Sequence, residues 1–243
     1  MNIRIDRILE ARARALPQVL GVIAAAVLAA SGLPGCASKE GGAVEKAPKI
    51  THHLNEGRGI MNRLNEELDL NDPRNAPRAL ESMHRAEKLF LEAVRLGPTS
   101  SRPRIALANC LHLISLVHLR KHEGIAEEVE EAGRSTGRVK VKLLKEMKEE
   151  LERARSYARN SNRQLLFYSQ HLMGSFPDPF VYEAMASNYE ILEEWRNAER
   201  AIELFLANAD PGGEVRKRFE QRLRVYRQKR LEGEDSDEGR GSA

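Results

Sequence analysis

The sequence predicts an all-α protein of about eight or nine helices, on three observations. Ala, Leu, Glu, Arg and Lys dominate the 243 residues, aromatics make up 5% and charged residues 31%, a composition of good helix formers. The alternating runs of Val, Ile and Thr that mark strands are missing. Apolar residues recur instead at three- and four-residue spacing, between breaks built of Gly, Pro and Asn.

The chain opens with a stretch carrying Arg4, Arg7, Arg12 and Arg14, followed by an uncharged apolar run over residues 19–30. Twelve residues suit the core of a signal peptide and fall short of the ~20 a membrane-spanning helix needs. Next comes Ser31-Gly32-Leu33-Pro34-Gly35-Cys36. Leu33, Gly35 and Cys36 resemble the lipobox of bacterial lipoproteins, although Pro34 stands where that family has Ala, Ser or Thr. The resemblance implies cleavage after Gly35. It also implies a diacylglycerol thioether on Cys36 and acylation of its new amino group, a covalent lipid being the one prosthetic group expected. Two alternatives are an ordinary secretory leader cut near Ala37 and an uncleaved signal anchor. Ala37 and Ser38, with no Asp after the cysteine, resemble the outer-membrane sorting pattern. The implied location is the cell envelope, lipid-anchored to the outer membrane and facing the periplasm.

The expected organisation is therefore a signal peptide over 1–35, a flexible tether over 36–50, a helical domain over 51–231 and a disordered acidic tail over 232–243. The tether reading rests on small, polar residues punctuated by Gly41, Gly42 and Pro48. The first helix covers about 54–68, with Ile60, Leu64 and Leu68 in register, and Asn71–Pro77 breaks it. The second runs from Pro77 to about Leu96, with Met83, Phe90 and Ala93 on one side, and Gly97-Pro98 stops it. The third, about 102–121, is apolar nearly all round, which places it centrally. A short acidic helix over 123–132 follows. Further helices are expected over 139–159, 163–173, 179–192, 195–208 and 214–231.

Two segments resemble tetratricopeptide repeats. One is Ala86-x3-Phe90-x2-Ala93-x4-Pro98, matching that family's second helix. The other is Tyr182-x2-Met185-Ala186-x2-Tyr189, followed by Ala198 and Pro211. Phe205 departs from the pattern, falling where Ala is usual. Ala86 and Ala198 also lie 112 residues apart, no multiple of the ~34-residue period, so the intervening units would be irregular. The resemblance implies an α-solenoid whose concave groove binds an extended peptide or partner helix, with Tyr182, Tyr189 and Asn188 facing it. A generic helical bundle with coincident alanines is the alternative.

The formal net charge is +3, and removing residues 1–35 leaves 35 basic and 34 acidic residues. This near-neutrality argues against a nucleic-acid binder. The final helix is nonetheless basic, and Arg216, Arg218, Arg222 and Arg227 could meet an anionic surface. The blander possibility is a cap over the last repeat.

His118 and His122 have the spacing of two ligands on one helix face, yet no third ligand accompanies them, so no metal is expected. Cys110 in apolar surroundings suggests a buried thiol. Neither a phosphate loop nor a nucleophile elbow is present. These features predict a non-enzymatic envelope scaffold that binds a protein or peptide. The alternatives are an enzyme or regulator acting on cell-wall polymer, and a lipid-anchored spacer.

Overall fold

The computed structural model describes residues 43–70, 72–131, 137–172, 179–209 and 212–238. The signal-peptide reading, Cys36 and Pro211 lie outside them. Seven α-helices are formed among the described residues: α1 (Ala43–Glu67), α2 (Ala76–Leu96), α3 (Ser101–Glu131), α4 (Gly137–His171), α5 (Pro179–Ile191), α6 (Trp195–Ala209) and α7 (Gly213–Glu238). A 3-10 turn, Pro73–Asn75, precedes α2. The protein is all-α, and no helix among the described residues is long and apolar enough to cross a membrane.

Two expected breaks are absent, which is why seven helices replace the eight or nine expected. α3 continues through Lys121–Gly124. Gly124 is tolerated there because a Cβ on it would lie 3.0 Å from the Pro73 Cβ, so its bare backbone admits the Pro73 turn. α4 continues through Asn160-Ser161-Asn162. Asn and Ser usually disturb helices by bonding their own backbone; here Ser161 and Asn162 bond neighbouring helices instead. α1 begins at Ala43, inside the expected tether, and α7 continues to Glu238, inside the expected tail. Firm packing of α1 starts later, since residues 46–49 are exposed and Ile50 is the first described side chain against the core.

Other boundaries follow local chemistry. Asp72 caps the 3-10 turn by accepting from the Arg74 N–H at 2.9 Å. Gly97 ends α2, its N–H donating to the Ala93 carbonyl at 3.0 Å. The α5–α6 turn places Glu193 at φ 60°, a left-handed conformation normally given to Gly or Asn. The Glu194 N–H donates to the Tyr189 carbonyl at 2.9 Å there.

The helices pack chiefly against their neighbours in the chain, and α3 and α4 share the longest interface. Ile50 approaches Gly97 while Gly57 approaches Phe90, so α1 and α2 are antiparallel. α3 and α4 are antiparallel too, with Ser161 on the Ala108 carbonyl and His122 on the Met147 carbonyl. The apolar interior forms two clusters. One joins α1–α4 around Leu64, Met83, Phe90, Leu107 and Ile114. The other joins α5–α7 to Leu165 and Ala108 around Ile202, Phe205 and Phe219. Small residues sit where helices close: Ala86, Ala93, Ala154, Ala158, Ala186 and Ala198 are fully buried.

Two glycines in α1 give opposite predictions. A Cβ on Gly57 would lie 2.5 Å from Phe90 Cε1, and Phe90 is itself buried, whereas nothing lies within 4 Å of a Cβ on Gly59. Gly59→Ala is expected to raise stability by ~0.5–1 kcal/mol through helix propensity. Gly57→Ala is expected to lower it by ~1–2 kcal/mol, because overpacking outweighs that gain. Denaturant unfolding of both variants checks the signs.

Candidate functional site

Polar side chains of α3, α4 and α5 meet in the seam between the two apolar clusters. His112, fully buried on α3, donates from Nδ1 to Asn188 Oδ1 of α5 at 2.6 Å. The Asn188 amide nitrogen donates to Ser161 Oγ and to Asn162 Oδ1 of α4, both at 2.9 Å. Ser161 donates in turn to the Ala108 carbonyl of α3 at 2.9 Å. The roles are fixed by elimination: the Asn188 oxygen can only accept, so His112 carries its proton on Nδ1. Burial pushes His112 down to about 4; the Asn188 bond opposes this and the charge of Arg222 adds to it. His112 Nε2, Ser115 Oγ and Asn162 Nδ2 are buried without a protein partner.

A second polar node ties α7 to α5. Arg222 Nη2 donates to the Tyr226 hydroxyl at 2.7 Å, and to Ser187 Oγ and Glu190 Oε2, both at 3.2 Å. Tyr226 donates to Glu190 at 2.8 Å. Burial opposes charge on Arg222, but Tyr226, Glu190 and Glu183 hold the guanidinium protonated, above its ordinary value. Glu183 is buried nearby, and desolvation raises its carboxyl despite Arg222 and Arg218.

The third node joins α3 and α4. Glu150 is buried and accepts from His118 Nδ1 at 2.6 Å, from Lys121 at 3.0 Å and from Arg153 at 2.7 Å. Burial alone would raise its carboxyl; the bonds from His118 and Lys121 outweigh that and lower it. Burial lowers His118 despite Glu150. Its ring stacks on Tyr157 at 5.6 Å and 12°.

The residues singled out in the sequence fall unevenly. Asn188 is fully buried with both ends of its amide bonded internally, so it faces no groove. Tyr182 and Tyr189 are half-buried against the α5–α7 cluster. Arg222 belongs to the part-buried node just described, and Glu190 of α5 balances its charge. Arg227 pairs with Glu199 and Glu203 of α6, both at 2.8 Å. Arg216 approaches Glu220 at 4.0 Å, and Arg218 lies 5.1 Å from the Phe219 ring centroid. Acidic residues on α5 and α6 thus neutralise much of the basic face expected to meet an anionic partner. An open cleft of about 400 Å³ between α6 and α7 is lined by Arg196, Asn197, Glu199, Arg200, Glu203 and Arg230.

His118 and His122 lie within α3 rather than at a helix end, directed to Glu150 and to the Met147 carbonyl respectively. Among the described residues no three His, Cys, Asp or Glu side chains assemble as a metal site. Cys110 is buried, its thiol 3.5 Å from the Met83 carbonyl and pushed up by desolvation. Sequence reasoning missed His112, Ser161, Asn162 and Glu150. A signal was there, in polar residues on the otherwise apolar faces of the two longest helices. No family model, curated protein or solved structure matches the chain.

Two measurements check the seam. Asn188→Ala leaves His112 Nδ1 and the Ser161–Asn162 pair without their partner, and is expected to cost ~2–4 kcal/mol in unfolding free energy. His112 titrates near 4 when folded and near 6.5 when unfolded, so the unfolded state binds more protons between those values. Stability is therefore complete above pH 6.5 and falls on acidification toward pH 4, by up to ~3 kcal/mol from this residue. His112→Gln should flatten that part of a urea-unfolding profile, although His118 contributes a slope of the same sign.

Proposed function

We propose that the chain is a lipid-anchored, non-enzymatic scaffold of the bacterial cell envelope that holds a peptide or protein partner on a tetratricopeptide-like helical stack. The observation that carries this reading is the packing of helices in chain order with alanines at their closest approaches. Ala86, Phe90 and Ala93 close α2 on its neighbours, and Ala186 and Ala198 close the α5–α6 pair. The first pair supports the likeness further, because Gly57 of α1 lies directly under the Phe90 ring. It supplies the small residue of a first helix that the Asn71–Pro77 segment displaces from its usual spacing. Each helix contacting mainly its chain neighbours is the arrangement that leaves one continuous face open to a ligand.

Leu33, Gly35 and Cys36 support the anchor, and two or three acyl chains suffice for stable membrane attachment. Tyr182 is the groove residue this reading retains, being only half-buried against the α5–α7 cluster. Asn188 takes a structural role in it, and the α7 arginines act mainly in closing the stack.

Metabolic fatty-acid labelling of the wild type and of Cys36→Ser tests the anchor: label is expected on the mature wild-type band and absent from the variant. A photo-crosslinking amino acid at position 182 tests the groove in the same cells. It is expected to trap an envelope protein that the same probe at exposed Arg224 does not. No label in either protein would overturn the anchor, and no adduct from position 182 would overturn the groove.

A further inference from the structure

The open cleft between α6 and α7 shares no lining residue with the groove proposed around Tyr182. It holds about 400 Å³, within the range of small-molecule sites. Its lining is wholly polar: Arg196, Asn197, Glu199, Arg200 and Glu203 from α6, and Arg230 from α7. With no aliphatic or aromatic side chain on its walls, it offers nothing to an apolar ligand.

On a helix surface an arginine finds its acid three or four residues away. Glu199 and Glu203 stand at that spacing after Arg196 and Arg200, yet both acids are drawn across to α7. Glu199 accepts from Arg227 at 2.8 Å and from Arg230 at 3.1 Å, one on each oxygen, and its side chain is only 14% exposed. Glu203 Oε1 accepts from Arg227 at 2.8 Å. Arg196 and Arg200 are exposed and take no acid among the described residues. Their like charges lie one helical turn apart, an arrangement that costs helix stability. With Arg227 included, four arginines face two glutamates, and the two unmatched ones neighbour each other on the α6 wall. Arg196 also lies in the first turn of α6, where the helix dipole favours an anion.

The geometry points to a binding site for a small phosphorylated sugar or polyol in this cleft. A phosphate monoester carries close to two negative charges at neutral pH, which answers the unmatched guanidinium groups of Arg196 and Arg200. Each can meet it with paired N–H donors. A single carboxylate would neutralise only one of them. Hydroxyl groups answer the acceptors alongside. Glu194 holds the Asn197 amide nitrogen at 2.8 Å, and Asn197 Oδ1 and Glu203 Oε2 take no bond among the described residues. Glu199 is bonded through both oxygens, so its charge is matched within the fold. The site adds a ligand to the scaffold reading and does not depend on it.

Calorimetric titration of the purified full-length protein tests the site with glucose 6-phosphate, inorganic phosphate, glucose, and dihexanoyl phosphatidic acid below its micelle concentration. The sugar phosphate is expected to bind at one site, about tenfold tighter than inorganic phosphate or the lipid phosphate, through its added hydroxyl bonds. Glucose alone should not bind measurably. Arg196→Ala with Arg200→Ala should weaken the sugar phosphate by about tenfold or more. Arg159→Ala with Arg224→Ala, which removes two exposed charges elsewhere, should leave it unchanged. Both double variants should keep the wild-type helical circular dichroism, because none of the four side chains is buried or paired. Asn197→Ala should narrow the gap between the sugar phosphate and inorganic phosphate. The proposal is overturned by no saturable binding of the sugar phosphate, or by binding indifferent to Arg196 and Arg200. Inorganic phosphate or phosphatidic acid binding as tightly as the sugar phosphate would overturn it too.

Discussion

The Asn188 amide connects the three central helices and joins the two halves of the interior. It accepts from α3 through His112 and donates to α4 through Ser161 and Asn162, while Ser161 returns to the α3 backbone. Apolar contacts between helices tolerate sliding by a turn, whereas these bonds hold only at one register. A buried network of this kind is stabilising when complete and costly when one member is missing. The seam thus sets where α5 lies along the α3–α4 hairpin, and with it the position of everything that follows. The cost of burial falls on His112, kept neutral and far below its ordinary value.

The same logic governs the ends of the stack. α7 carries eight basic residues between 216 and 230, and such a helix in isolation would repel itself. It is held because α5 and α6 present acids at matching places: Glu190 to Arg222, Glu199 to Arg227 and Arg230, and Glu203 to Arg227. Pairs at the surface are each worth little; the part-buried Arg222–Tyr226–Glu190 node is bound to more partners and less screened.

Much of the architecture was legible in the residues. The all-helical class follows from composition and periodicity, and α2 ends where Gly97-Pro98 predicts. The buried face of α2 is the predicted one, with Met83, Phe90 and Ala93 inside. The buried thiol of Cys110 was also readable from its apolar neighbours. Where the sequence misled, the cause was a local signal answered by a distant partner. Asn160-Ser161-Asn162 has the look of a break because such side chains compete with the helix for backbone groups. α5 and the α3 backbone supply other partners, so the competition disappears. Asn188 looked like a groove residue for the complementary reason: its spacing places it on a face, and spacing alone does not say whether that face meets solvent or another helix.

The sequence by itself determined the all-helical class, the stop of α2 at Gly97-Pro98 and the apolar stripe that α2 buries. Those properties depend on neighbours three or four residues away, and the chain order of one sequence contains them. Only the tertiary structure decided which charges are neutralised and which polar groups are interior. Arg222 and Glu190 are 32 residues apart, as are His118 and Glu150, while His112 and Asn188 are separated by 76. Whether each pair forms depends on helix register across the stack, a quantity that periodicity does not encode because every turn of a helix offers an equivalent alternative.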